Sequence, residues 1–251
     1  MDLGIKDRVA LVTGASRGIG RAIARALAKE GARVVLVART REHLEVVRQE
    51  IETAGGKAVV VAVDLMAPTG VADLIETINL DVGAPEIMVH NLGGSFGIPA
   101  LAPTADWQKV WQFNIGVGHE INRAFIPGMV TRKWGRIVHL STLSTTTHNG
   151  YAPYVSAKCA LDGYVKSVNR EVSKENVIIS GVAPGAIYSE GRFFAKMMKD
   201  DPTALERYYA EHLPIRRLGT ADDVGPVVTF LCSEFAAFLA GSIVGVDGGG
   251  M

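Results

Sequence analysis

The chain has 251 residues, 48% of them hydrophobic and 21% charged, with Lys plus Arg (26) equal to Asp plus Glu (26). That balance excludes a disordered chain and a broadly basic nucleic-acid-binding surface. Cys159 and Cys232 stand 73 positions apart with no CxxC or Cys/His ligand spacing, which excludes a disulfide framework and a zinc centre and points to a reducing, cytoplasmic compartment.

Glycine is in excess: 28 residues, about 11% of the chain against a usual share of about 7%. The first residues, Met1 to Arg8, alternate charge with apolar side chains and lack the apolar core of a signal peptide. No apolar run reaches the roughly 18 residues that a bilayer span requires. Short β-branched runs then alternate with longer amphipathic segments, the pattern of βα units and a parallel sheet. Arg8–Thr13 reads as a strand, Gly18–Glu30 as a helix, Arg33–Ala38 as a strand and Glu42–Ala54 as a helix closed by Gly55-Gly56. Lys57–Val63, Val71–Leu80 and Glu86–His90 continue as strand, helix and strand, and Asp106–Arg132 reads as one long or broken helix. Arg136–Ser141, Ala152–Ser173, Val177–Val182, Ala221–Cys232 and Ser242–Val246 complete the series as strand, helix, strand, helix and strand. No linker or internal repeat divides it, so residues 1–251 read as a single domain. The stretch 189–218 does not fit a βα unit. It is rich in Arg, Lys, Phe and Tyr, carries the helix-start signal Asp200-Asp201-Pro202, and is expected to be a substrate lid within that domain.

The first strand runs directly into Thr13-Gly14-Ala15-Ser16-Arg17-Gly18-Ile19-Gly20 and then a helix. Glycines there let backbone N–H groups approach a pyrophosphate at the positive end of a helix, so the placement predicts dinucleotide binding. A site preferring NAD places a carboxylate after the second strand to bind the ribose 2′-OH. Here the residues are Ala38-Arg39-Thr40-Arg41, and Arg17 adds a further guanidinium. Arginine makes paired, charge-assisted hydrogen bonds to phosphate, so NADP(H) is favoured, with NAD(H) possible. Ordinary solvated helix-start charges are the alternative for Arg39 and Arg41.

Tyr154-Val155-Ser156-Ala157-Lys158 opens the helix over 152–173, which puts Tyr154 and Lys158 one turn apart on one face. An ammonium beside a phenol favours the phenolate and would let Tyr154 exchange a proton with a carbonyl or alcohol oxygen.

The spacing Thr-Gly-x-x-x-Gly-x-Gly, together with Tyr-x-x-x-Lys, resembles the short-chain dehydrogenase/reductase family over essentially the whole chain. The resemblance implies a single α/β domain, a Rossmann-type doubly wound parallel sheet of about seven strands with helices on both faces. It also implies cofactor contacts from Gly14, Ser16, Arg17, Gly18, Ile19, Gly20 and Arg39, from Asp64 and Leu65 after the third strand, and from Asn91 and Gly93 after the fourth. There His90-Asn91-Leu92-Gly93 stands where the family has Asn-Asn-Ala-Gly. A helix cap is the alternative role for Asp64. Pro184-Gly185-Ala186-Ile187-Tyr188-Ser189 resembles a further cofactor segment, with Pro184, Gly185, Ile187 and Ser189 as the matching positions. Tyr154 and Lys158 would both be catalytic and touch the cofactor, Asn114 would support a proton relay, and a serine at the end of the preceding strand would polarise the substrate oxygen.

Ser141, separated from Tyr154 by twelve intervening residues, is the expected serine; counted from Gly135 instead, Thr142 is equally placed, and Ser144 is third. The borders of the substrate space are expected at Gly94-Ser95-Phe96, at Thr145 to Asn149 and at Glu190 to Phe194, including Arg192. This set is more polar than a steroid or fatty-acyl tunnel and suited to a hydroxylated or charged small molecule, a simply solvated Thr-rich loop being the alternative; the family resemblance adds an acyl thioester. The expected reaction is NADPH-dependent carbonyl reduction or its reverse. NAD-linked sugar or secondary-alcohol oxidation is the alternative, and a nucleotide-sensing protein without turnover the third reading. The expected partners are a small-molecule substrate and copies of the same chain, in a homotetramer or, second, a dimer; Glu120 is unexpected in the helix that family members use at an interface.

Overall fold

A computed structural model describes residues 1–250 apart from Arg192 and Pro202. Seven strands form one sheet: β1 (Val9–Thr13), β2 (Arg33–Ala38), β3 (Lys57–Ala62), β4 (Ile87–His90), β5 (Gly135–Leu140), β6 (Val177–Pro184) and β7 (Ile243–Val246). The spatial order is β3-β2-β1-β4-β5-β6-β7 and every pairing is parallel. Both faces are covered, which is why the strands read as unbroken Val/Ile/Leu runs. Alternation along each strand supplies two cores. Ala10, Val12, Val34 and Leu36 face α1 (Gly18–Lys29), α2 (Arg41–Thr53) and α10 (Ala221–Leu231). Leu11, Val35 and Val37 face α3 (Gly70–Thr77), α5 (Val117–Arg132) and α7 (Ala152–Val172). The chain leaves β1 toward β3 and returns to β4 on the other side of β1, so a crevice opens at the carboxyl ends of β1 and β4.

The long segment after β4 is broken: α4 (Thr104–Trp111) runs through a π-helical turn at Gln112–Gly116 into α5. Likewise α3 ends at Thr77 and a π turn covers Ile78–Val82. The Thr-rich stretch read as a loop is a short helical turn, α6 (Ser144–Thr147). Strand β6 extends two residues beyond the expected Val182, pairing Pro184 with Val246. The excursion over 189–218 folds into α8 (Phe193–Asp200) and α9 (Ala204–His212), joined by an edge-on contact of Phe194 with Tyr208, ring centroids 5.0 Å apart. The Asp201 carboxylate accepts from the N–H and the hydroxyl of Thr203, both at 2.8 Å, just before α9 begins. Pro202 of the expected start signal lies outside the described residues. Among the described residues no helix is long and apolar enough to cross a membrane.

Beneath the crevice, His90 and His139 are cross-strand neighbours whose rings stack at 4.5 Å. His90 Nε2 donates to Asn122 Oδ1 at 2.8 Å, and Asn122 Nδ2 donates to His139 Nε2 (3.1 Å) and to the Tyr164 hydroxyl (3.0 Å). Burial pushes His90 down to about 4 and His139 well below the usual imidazole range, with the His90 ring and Lys158 adding to the effect at His139. Both rings are therefore neutral in the fold, while the unfolded chain protonates them near pH 6.5. Stability is complete above that value and is lost as pH falls from about 6.5 toward about 4. For His90 the loss amounts to about 3 kcal/mol. Denaturant unfolding followed across this range should show the decline, and His90→Asn should lessen it by the His90 share while that of His139 remains.

Candidate active site

The crevice is built on the glycine loop. Helix α1 starts at Gly18 with no side chain capping it, so its first N–H groups remain available to an anion. A Cβ at Gly20 would fall inside the contact distance of the Gly14 carbonyl oxygen and 2.5 Å from Asn91 Nδ2, so this turn closes only without a side chain. Gly18, at φ +54°, faces open space, with no atom within 4 Å of where a Cβ would sit. A tight turn, free amides and open space above it fit a pyrophosphate. Ser16 and Ile19 are half-buried in the same loop and Arg17 is exposed.

Arg39 is exposed at the end of β2, and among the described residues neither Arg17 nor Arg39 has a carboxylate partner, whereas Arg41 lies 3.6 Å from Glu45. Asp64 does not cap α3, whose N-terminal flank is Thr69; its carboxylate accepts from the Met66 N–H at 3.0 Å, beside buried Leu65. Asn91 is engaged below the crevice: its Nδ2 donates to the carbonyls of Thr13 and Gly14, each at 3.2 Å, and thus braces the glycine loop against β4. Pro184 and Gly185 end β6 over β7, where a Cβ at Gly185 would meet Asp247 at 2.6 Å. Ile187 bridges to Gly219 and Ser189 is exposed at the start of the excursion. Arg192 lies outside the described residues.

Tyr154 and Lys158 lie against the end of β5. Lys158 is 3% exposed and its Nζ donates to the Leu140 carbonyl at 2.6 Å. Burial pushes its ammonium down to about 8, against an opposing pull from Asp162. Gly93 passes so close that a Cβ there would lie 2.8 Å from Asn114 Oδ1 and 3.0 Å from Lys158 Nζ. Asn114 sits in the π turn, a local form frequent at functional sites. Its Nδ2 donates to the carbonyls of Gly94 (2.9 Å) and Val110 (2.8 Å), and its Oδ1 accepts from Gly94 N–H (3.1 Å), locking the turn after β4 onto the helix.

The two candidate hydroxyls turn to different partners. Ser141 continues the ladder, its N–H donating to the Val182 carbonyl at 2.7 Å, and its side chain turns to Asp162, donating to Oδ1 at 2.5 Å. The hydroxyl facing the Tyr154 phenol is that of Thr142, which partly offsets the upward push of burial on Tyr154. The count back from Tyr154 gives Ser141, and the count forward along β5 from Gly135 gives Thr142. Ser144 is a neighbour of Thr142, whose hydroxyl donates to Ser144 Oγ at 3.3 Å. Sequence reasoning missed Asp162 and His139, although Asp162 lies on the Tyr154–Lys158 stripe one further turn along α7.

The family model described as Enoyl-(Acyl carrier protein) reductase matches residues 14–250. The 3-oxoacyl-(acyl-carrier-protein) reductase FabG of Aquifex aeolicus (strain VF5) is 32% identical over 252 residues, covering 99% of both chains. The L-sorbose reductase of Gluconobacter frateurii, crystallised with NADPH and L-sorbose, superposes with a TM-score of 0.92 at 33% identity, over 99% of this chain and 98% of that one. A 7α-hydroxysteroid dehydrogenase complexed with NADH and 7-oxo glycochenodeoxycholic acid gives 0.87 at 28%, over 98% and 95%. With the parallel sheet, the open glycine loop and the Tyr154–Lys158 pair on one crevice, these matches establish that the chain belongs to the short-chain dehydrogenase/reductase family and is an NAD(P)-dependent oxidoreductase.

Proposed function

We propose that the chain reduces the carbonyl of a small hydroxylated, ketose-like compound to a secondary alcohol with NADPH, or runs the reverse reaction. The observation that carries the cofactor choice is the exposed guanidinium of Arg39 directly after β2, where an NAD site would place a carboxylate, with exposed Arg17 in the glycine loop as a second. The Gly14–Gly20 turn and the α1 amides would hold the pyrophosphate, and Arg39 with Arg17 the 2′-phosphate. Asn91 would hold the loop, and Pro184 to Ser189 would close over the nicotinamide end. Bound there, the dinucleotide supplies a hydride to the carbonyl carbon.

Tyr154 then acts as general acid. Burial holds its phenol above the usual range, so the proton is present at neutral pH and is delivered to the oxygen as negative charge develops. The Lys158 ammonium stabilises the phenolate left behind, and the Thr142 hydroxyl donates to the same oxygen and orients it. Asn114 holds the Gly93-Gly94 wall beside Lys158.

Phe96 and Phe193 are exposed on the segments expected to border the substrate, with Tyr151 and Tyr188 exposed close to them in sequence, and they would supply ring faces for C–H stacking beside the hydroxyls of Ser95 and Thr146. The same rings favour acyl thioesters as the second substrate class. The helices of residues 189–218 serve as the lid. Edge strand β7 lies next to exposed Phe235 and Phe238, a surface suited to covering by other copies, and the assembly inferred is a homotetramer.

A panel of ketoses, acyl thioesters and oxo-steroids, followed by NADPH and NADH absorbance in parallel, tests the substrate class; turnover of steroids alone would refute it. Tyr154→Phe should cut turnover by about 10³ or more with NADPH binding retained, and Thr142→Ala by about 10² with recovery in Thr142→Ser. Retained turnover in Tyr154→Phe would remove it from the mechanism, and binding without turnover of any panel member would indicate a nucleotide sensor. Arg39→Ala should raise the KM for NADPH about 10- to 100-fold and leave that for NADH nearly unchanged. Sedimentation should give four copies per particle; a monomer at micromolar concentration overturns the tetramer.

A further inference from the structure

One stripe of α7, Tyr154, Lys158 and Asp162, faces three consecutive residues at the end of β5. Tyr154 meets the Thr142 hydroxyl, Lys158 donates to the Leu140 carbonyl at 2.6 Å, and Asp162 accepts from Ser141 Oγ at 2.5 Å. We propose that Asp162 is a positioning residue for the reaction, clamping the Leu140–Thr142 segment through Ser141 and supplying the anion that keeps Lys158 charged.

The clamp follows from connectivity. Among the described residues the Thr142 hydroxyl is bonded within its own turn, accepting from Ser144 N–H and donating to Ser144 Oγ, each at 3.3 Å. Its carbonyl accepts from Thr145, and the next residue, Leu143, donates its N–H to the Pro184 carbonyl at 2.9 Å. The residue before Thr142 is fixed on both sides, by the Val182 carbonyl at its N–H and by Asp162 at its hydroxyl. Ser141 is 6% exposed, so the bond is made out of reach of competing water at that end. A Thr142 hydroxyl displaced by even about an ångström no longer meets both the phenol and a substrate oxygen.

The charge role follows from what faces Lys158. On its own helix stand Tyr154 and Asp162, on β5 the neutral ring of His139, and in the π turn uncharged Asn114. Among the described residues Asp162 is the one anion that opposes the burial of this ammonium. Asp162 stands one turn from Lys158 on α7, and a nearby opposite charge favours the charged form.

The proposal rests on Tyr154 and Lys158 forming the reactive pair, and its test separates failure of that reading from failure of the clamp. NMR titration of protein labelled with 13C at lysine Cε, with the Lys158 resonance assigned by its loss in Lys158→Ala, needs no substrate. Asp162→Asn keeps an acceptor for Ser141 and removes the charge, so the Lys158 midpoint should fall by about one pH unit and return in Asp162→Glu. A midpoint unchanged in Asp162→Asn overturns the charge role whatever the enzyme reduces. Ser141→Ala keeps the charge and frees the segment. With the panel substrate turned over fastest, it should lower kcat about tenfold at every pH, leave the alkaline limb in place and leave NADPH affinity, read by fluorescence, unchanged. Wild-type kcat in Ser141→Ala overturns the clamp. Melting temperature of each variant identifies any that lose the fold, in which case Asp162→Ser, which also removes the charge, and Ser141→Cys, which weakens the donor, carry the same comparison.

Discussion

An ammonium buried at the end of a parallel sheet is the constraint around which the rest is arranged. Taking such a group out of water costs several kcal/mol unless hydrogen bonds and an opposing charge replace its hydration. Lys158 has the Leu140 carbonyl at 2.6 Å and Asp162 one turn along. Those contacts require α7 to lie close on β5, and they require Gly93 to pass without a side chain. They also explain why Asn114 spends both side-chain ends on the Gly94 turn and on Val110: a wall that moved would admit water to the ammonium.

The sheet supplies the groups in the order of its strands. The glycine loop follows β1, the bracing Asn91 follows β4, Ser141 and Thr142 follow β5, and Pro184 to Ser189 end β6. All four ends lie on one edge because every strand is parallel. The neutral His90–Asn122–His139 layer beneath gives this edge a polar floor without a second positive charge beside Lys158.

Much of this was legible because it repeats a local rule. Short β-branched runs alternating with amphipathic segments marked the strands and helices, and glycine spacing after a strand located the phosphate turn. The hydroxyl was harder. Ser141 and Thr142 are adjacent, chemically alike and fit two equally reasonable counts; only the direction of Ser141 toward Asp162 separates them. The π turn at Gln112–Gly116 was illegible for a different reason: no residue type encodes a widened turn, and the bonds that shape this site join Asn114 to Gly94, twenty positions away. Asp162 carried a readable signal, two turns from Tyr154 on one stripe, but a carboxylate on a helix face looks the same whether it is solvated or bonded.

The Thr-rich segment shows why polarity counted from composition overstates what a substrate meets. Thr145 Oγ1 donates to the Thr142 carbonyl at 3.0 Å and Thr147 Oγ1 to the Leu143 carbonyl at 3.5 Å, so both satisfy their own turn. Such back-bonding is the common fate of threonine in a helical turn. Thr146 stays exposed, and Ser95, which accepts from Gly97 N–H at 3.3 Å, keeps its proton. The hydroxyls left free for a ligand are therefore few, and Phe96, Tyr151 and Tyr188 are exposed as well. Selectivity then turns on how many substrate hydroxyls these groups pair. Each one left unpaired on closure costs about 1–3 kcal/mol, which is enough to separate a ketose from a bare ketone by one to two orders of magnitude.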